Sequence, residues 1–140
     1  MKFSEAKKIA KHLKKFEKEI DALVTTMGNE ALNHYVKSFA KQGFENETLE
    51  KWTPRKRMAR RERGKPSRAI LIQSGRLWRS LRKGRRTKYS ITLMSDVPYA
   101  RRHNEGLSGM PKRQFMGYSA KLNQKIARRF NTQIMSIFKN

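Results

Sequence analysis

Apolar residues near the amino end recur at Ala6, Ile9, Leu13, Phe16, Ile20, Leu23 and Met27. The steps alternate between three and four, which draws one stripe along a helix. Ser4 stands where an N-cap is wanted, and Glu5 suits the first turn. Lys7, Lys8, Lys11, Lys14, Lys15 and Lys18 fall off the stripe. Gly28-Asn29 interrupts the pattern, which resumes at Leu32, Tyr35, Val36 and Phe39. The spacing therefore predicts one long kinked helix or a helix pair over residues 1–43, with Gly43 at the C-cap. Barely two heptads make a weak coiled-coil seam. Leu13, Phe16, Ile20 and Leu23 are instead expected to pack on the domain or on a neighbouring subunit.

Residues 44–68 show no sustained period. Pro54, Gly64 and Pro66 punctuate them, and nine are Lys or Arg. They read as a basic, poorly packed loop, with Trp52 as the anchor that pins it to the core. Residues 69–117 read as a sheet region. Ile70-Leu71-Ile72 is a short apolar run, and Ser74 is placed to cap a short helix carrying Leu77, Trp78 and Leu81 on one side. Gly84 sits in a turn-like basic cluster. Tyr89, Ile91 and Leu93 then alternate with Ser90, Thr92 and Met94, as in a half-buried strand. Tyr99 to Gly106 reads as a helical turn, and 107–112 as a loop punctuated by Gly109 and Pro111. In 118–140 Ser119 caps a last helix with its stripe at Leu122, Ile126, Phe130, Ile134 and Ile137-Phe138. The expected fold is α+β in one domain: an N-terminal helix or helix pair, a small antiparallel sheet and a C-terminal helix.

Charge changes this picture. The 140 residues carry a formal charge of +23. Residues 1–50 hold 9 Lys/Arg against 8 Asp/Glu, residues 51–90 hold 16 against Glu62 alone, and residues 91–140 hold 9 against 2. Such a field attracts polyanions, whether nucleic acid or acidic protein. The expected contacts are Arg55, Lys56, Arg57, Arg60, Arg61, Arg63, Arg82, Arg85 and Arg86. No helix-turn-helix, zinc-finger or RNA-recognition signature accompanies them, so contact with DNA would be salt-sensitive and blind to sequence. Mean hydropathy is −0.89, so part of the surface is expected to be exposed or covered only by a partner.

Catalytic chemistry finds little footing. The chain has no cysteine, so disulfides, thiolate metal sites and Cys nucleophiles are excluded. Asp21 and Asp96 lie in unrelated segments, short of the converging carboxylates a two-metal nuclease needs. His12, His34 and His103 lack metal-ligand spacing. His103-Asn104-Glu105 superficially matches a nuclease triplet without its second histidine or its frame. Ser74-Gly75 is no nucleophile elbow, and the glycines match no phosphate loop. No signal peptide or membrane span is evident. No enzyme activity, metal, cofactor, small-molecule ligand or membrane partner is expected.

Three stretches together resemble a known family. The first runs from Phe39 through Trp52 to Arg55. The second is Leu71-Ile72-Gln73-Ser74-Gly75-Arg76-Leu77-Trp78-Arg79-Ser80-Leu81, similar to L-x-x-[ST]-G-x-L-x-x-S-[IL]. The third is Tyr99-Ala100-Arg101-Arg102-His103-Asn104-Glu105-Gly106 followed by Pro111-Lys112-Arg113-Gln114-Phe115-Met116-Gly117, similar to Y-A-x-x-H-x-x-G and P-x-R-x-F-[LM]-G. In this order they resemble the Mu-type phage virion morphogenesis (tail completion) family over about residues 30–138.

The matching residues Ser74, Gly75, Leu77, Tyr99, His103, Gly106, Arg113 and Phe115 look like fold-defining positions. Leu77, Leu81, Tyr99 and Phe115 are expected to anchor one core, and Gly75 and Gly106 to permit turns. The resemblance implies a structural protein of the virion neck or tail end, assembled in the host cytoplasm. It also implies a head-to-tail ring, tail, connector or head proteins as partners, and a basic segment that faces either packaged DNA or an acidic neighbour. From other classes, the composition also fits a charge-driven nucleic-acid binder or a small basic endoribonuclease.

Overall fold

The structure, a computed structural model, describes residues 3–56 and 68–139. Helix α1 (Phe3–Lys41) is followed by strands β1 (Gly43–Glu45) and β2 (Leu49–Lys51). Then come α2 (Arg76–Ser80), β3 (Arg82–Arg86), β4 (Ile91–Met94), α3 (Ala100–Glu105) and α4 (Ala120–Phe138). The α+β class is as expected. The strands, however, form two separate two-stranded antiparallel sheets rather than one.

The amino-terminal stripe is one continuous helix, and Ser4 lies inside it rather than at its cap. Gly28 does not break α1. A Cβ there would stand 2.6 Å from Ile91 Cδ1, so the glycine admits β4 close against the helix backbone. The modest helical cost of glycine, about 1 kcal/mol, is offset by that packing. At the other end Gln42, not Gly43, takes the left-handed conformation that ends the helix, with φ of 54°. Its amide donates to Phe39 O (2.7 Å) and Ile70 O (3.1 Å) and accepts from Ile70 N (2.5 Å), which ties the helix end to a remote segment. Gly43 is needed for a different reason, since a Cβ on it would meet Glu50 O at 2.5 Å across the β1–β2 ladder.

The stretch expected as a basic loop therefore begins with a hairpin, in which Gly43 pairs with Lys51 and Glu45 with Leu49. Trp52 follows and anchors the chain as expected. It is buried, and its indole N–H donates to Gln114 O at 2.6 Å. The basic cluster around Gly84 is strand β3 rather than a turn. β3 pairs with β4 from Arg82↔Met94 to Arg86↔Ile91, with an irregularity between Lys83 and Arg86. Ile91 and Leu93 are half-buried, while Thr92 and Met94 face outward. In the short apolar run Ile70 and Leu71 form a turn, with Leu71 at φ 62°.

The core gathers Phe39, Trp52, Leu77, Leu81, Val97, Ala100 and Phe115. The Phe39 ring stands 5.4 Å from Trp52 and 5.2 Å from Phe115, centroid to centroid. Tyr99, expected among these anchors, is instead partly exposed.

Carboxylates of the amino-terminal third fasten the outer elements. Asp21 pairs with Arg86 (2.7 Å) and Glu17 with Lys88 (2.8 Å), holding the β3–β4 hairpin to α1. Glu30 receives Lys125 (2.5 Å) and Arg129 (2.6 Å) from α4. Ser119 caps α4 as expected, accepting from Leu122 N at 3.1 Å and donating to Glu45 O at 2.7 Å. The Glu45 carboxylate binds Lys41 (2.5 Å) and Lys121.

Hydrogen bonds from Lys121 and Lys41 lower the Glu45 carboxyl from 4.5 to about 2. A depressed carboxyl stabilises fully above its ordinary value, and that contribution fades as pH falls through the folded value. Urea unfolding of Glu45→Gln against the parent is expected to show a deficit of about 1 kcal/mol at neutral pH. The deficit should close between pH 4.5 and about 2. A deficit independent of pH would refute this role.

Candidate functional site

The second and third motif segments meet at one pocket. Gly75, rather than Ser74, occupies the N-cap position of α2, and the Ser74 hydroxyl accepts from Arg76 N at 3.3 Å. This places Leu77 inward, where it is buried, and leaves Ser74 at the surface beside it. Helix α3 presents Tyr99 and His103 on adjacent turns, their rings edge-on with centroids 6.0 Å apart. Gly106 ends α3 in the left-handed conformation, with its N–H donating to Arg102 O at 2.9 Å. The chain returns so that Arg113 N donates to His103 O at 2.8 Å.

Asn104 locks this return. Its Oδ1 accepts from Phe115 N and Met116 N at 2.9 Å each, and its Nδ2 donates to Met116 O at 3.1 Å. Asn104 was not among the expected site residues. It falls at a variable position of the motif, and neither periodicity nor spacing marks a side chain that serves as a backbone partner.

The resulting cavity has a volume of about 500 Å3. Ser74, Leu77, Tyr99, His103 and Arg113 line it, with Ile70 and Leu71 adding apolar surface and Gln73 and Arg55 completing the wall. Arg113 is only 7 % exposed. Its Nε donates to Thr53 O (3.0 Å) and its Nη2 to Pro54 O (3.4 Å), which also draws in the segment after Trp52. Burial, and secondarily Arg55, lowers the Arg113 pKa. Burial, and secondarily Arg113, lowers the His103 pKa. Both effects favour the neutral form of the ring. His103 Nδ1 is buried without a hydrogen-bond partner, so the tautomer with its proton on Nε2 leaves no orphaned donor.

Phe115 belongs to the core beneath the pocket and is 1 % exposed. Of the eight motif residues, five therefore line the cavity, the two glycines shape its turns, and Phe115 supports it. Among the described residues none is matched with a carboxylate in the cavity wall. Among the described residues no group of three His, Asp or Glu could hold a metal ion.

The amino-terminal stripe divides into two functional parts. Leu23 is buried and Ile20 half-buried, whereas Leu13 and Phe16 are exposed, Leu13 by 59 %. With Ile9 they face Ile137 and Phe138 of α4 across an apolar groove of about 310 Å3. Every residue from 3 to 18 is exposed.

The expected cationic contacts occupy two parts of the fold. Arg55 and Lys56 border Pro111 and Arg113. Arg82, Arg85 and Arg86 lie on β3, where Asp96 pairs with Arg82 (3.7 Å), Asp21 pairs with Arg86, and Arg85 is exposed. Arg57, Arg60, Arg61 and Arg63 lie outside the described residues. No described helix is long and apolar enough to cross a membrane.

No curated protein and no solved structure matches the chain. A family model described as the phage virion morphogenesis family matches residues 1–134, a span that takes in all three motif stretches and the whole of the pocket they build. The chain belongs to the phage virion morphogenesis family.

Proposed function

We propose that this protein is a non-enzymatic structural component that completes the tail or joins it to the head, packing in a ring against tail, connector or head proteins. The observation that carries this reading is the open half of α1. Its apolar face at Ile9, Leu13 and Phe16 continues the stripe that is core at Leu23, yet among the described residues it has only the end of α4 against it. An apolar face of this kind is stabilised by a neighbouring protein. The lysine face supports the same reading. Lys7/Lys11, Lys11/Lys15 and Lys14/Lys18 are like-charge pairs at i,i+4, and cations near a helix N-terminus oppose its dipole. An acidic partner would relieve both. The basic residues of β3 and of the segment after Trp52 are proposed to face packaged DNA or that acidic neighbour.

The test is genetic. Deleting the gene from the phage or prophage should leave heads and tails made but unjoined in electron micrographs, and plasmid-borne protein should restore joining. Leu13→Glu and Phe16→Glu alter exposed positions. They are expected to fold normally yet fail to restore it. Normal joining in the deletion strain would overturn the reading.

A further inference from the structure

We propose that the pocket between α2, α3 and the 111–113 loop receives a carboxylate side chain, with an apolar side chain beside it, from a different and acidic protein of the particle. The pocket's own chemistry leads there. Among the described residues its wall contains Arg113, His103 and Arg55 and no Asp or Glu. Among the described residues Arg113 makes no ion pair, and only backbone carbonyls hold it. Two carbonyls fix a guanidinium in place without cancelling its charge, and a buried charge left uncompensated is costly. An incoming carboxylate supplies the missing charge and a planar acceptor that matches the guanidinium fork.

His103 provides a second donor. Its Nδ1 is sealed inside the protein, so Nε2 is the ring nitrogen the cavity can reach, and in the neutral ring that atom carries the proton. The Ser74 hydroxyl accepts from Arg76 N and keeps its own proton to donate. Three donors thus border one cavity.

The floor distinguishes the kinds of anion. Leu77, Ile70, Leu71 and the Tyr99 ring offer apolar surface. A DNA phosphodiester has nothing to cover it, whereas an acidic residue next to a large apolar one does. A second copy of this chain, itself at a formal charge of +23, is the less favoured donor even though its Glu47 and Glu50 are exposed. Glu17, Asp21, Glu30, Glu45, Asp96 and Glu105 are already engaged in ion pairs within the molecule.

The experiment uses the purified full chain with the His103 ring followed by NMR. The probes are isocaproate, its uncharged analogue isocaproamide, inorganic phosphate and a short DNA duplex. Isocaproate is expected to shift the His103 resonances saturably at millimolar concentration and to raise the pKa of the ring. Isocaproamide should bind about tenfold more weakly or worse, the worth of one charge-assisted hydrogen bond. Arg113→Gln should abolish the effect. Gln73→Glu, at an exposed position on the pocket wall, leaves the fold intact and should weaken isocaproate severalfold by repulsion.

Equal binding of acid and amide, or no saturable shift, would overturn the proposal. Tighter binding of phosphate or duplex that Gln73→Glu disrupts would assign the pocket to DNA instead. Loss of the isocaproate response as the protein self-associates would assign it to a second copy. Each of these results concerns the isolated chain, so the assembly role stands or falls separately on the deletion strain.

Discussion

Phe115→Ala is expected to cost about 3–5 kcal/mol, the usual range for removing a buried aromatic ring. The ring is 1 % exposed and packs against Phe39, which in turn packs on Trp52. These three residues come from the loop after α3, from α1 and from the segment after the first hairpin. The cavity would therefore open where three distant stretches of chain are held together. A domain of this size has a total stability of about 5–15 kcal/mol, so the variant should be largely unfolded or close to it at physiological temperature. Urea unfolding followed by tryptophan fluorescence measures the loss, since Trp52 lies in the same cluster. Phe138→Ala is the control. That ring is exposed, and its removal is expected to change stability by no more than about 0.5 kcal/mol. A Phe115→Ala midpoint within about 1 kcal/mol of the parent would mean the core is not built around this ring.

Asn104→Ala should have the next largest effect, about 2–4 kcal/mol, because it strands two backbone donors. Phe115 N and Met116 N both donate to Asn104 Oδ1, and Met116 O loses its donor as well. The loss falls on the turn that positions Arg113 and seats Phe115, so pocket and core should loosen together. Asn104→Asp keeps the acceptor and loses only the donor, and it should cost about 1 kcal/mol. It also places a negative charge near His103, which should raise the pKa of the ring. Hydrogen exchange gives the sharper readout. The Phe115 and Met116 amides are expected to lose protection in Asn104→Ala and retain it in Asn104→Asp. Equal protection in both would show that the side chain does not serve as their partner.

The two effects share a cause. Both residues act chiefly by fastening segments far apart in sequence or by holding the turn that does so. Tyr35 follows the same rule, donating from its hydroxyl to Gly117 O at 2.9 Å. So does Gln42, whose amide joins the end of α1 to Ile70. These side chains therefore build a frame, and the surfaces that frame presents are the pocket and the open half of α1.

The sequence by itself determined what short-range physics controls. Three- and four-residue spacing marked both long helices, the Ser119 hydroxyl marked the start of α4, and Gly106 marked the end of α3. A lone tryptophan in a basic stretch marked an anchor, and the ordered motifs marked the family. The tertiary structure decided what depends on an opposing surface. Arg82-Lys83-Gly84-Arg85-Arg86 has no apolar alternation, and it is a strand because β4 pairs with it and Asp21 and Asn29 of α1 receive Arg86 and Lys83. Leu13 and Leu23 are equivalent in the stripe, yet one is exposed and the other buried, because the rest of the fold reaches only one of them. The pocket was invisible for the same reason: periodicity reports which residues share a face, and only packing brings Ser74, His103 and Arg113 to a single cavity.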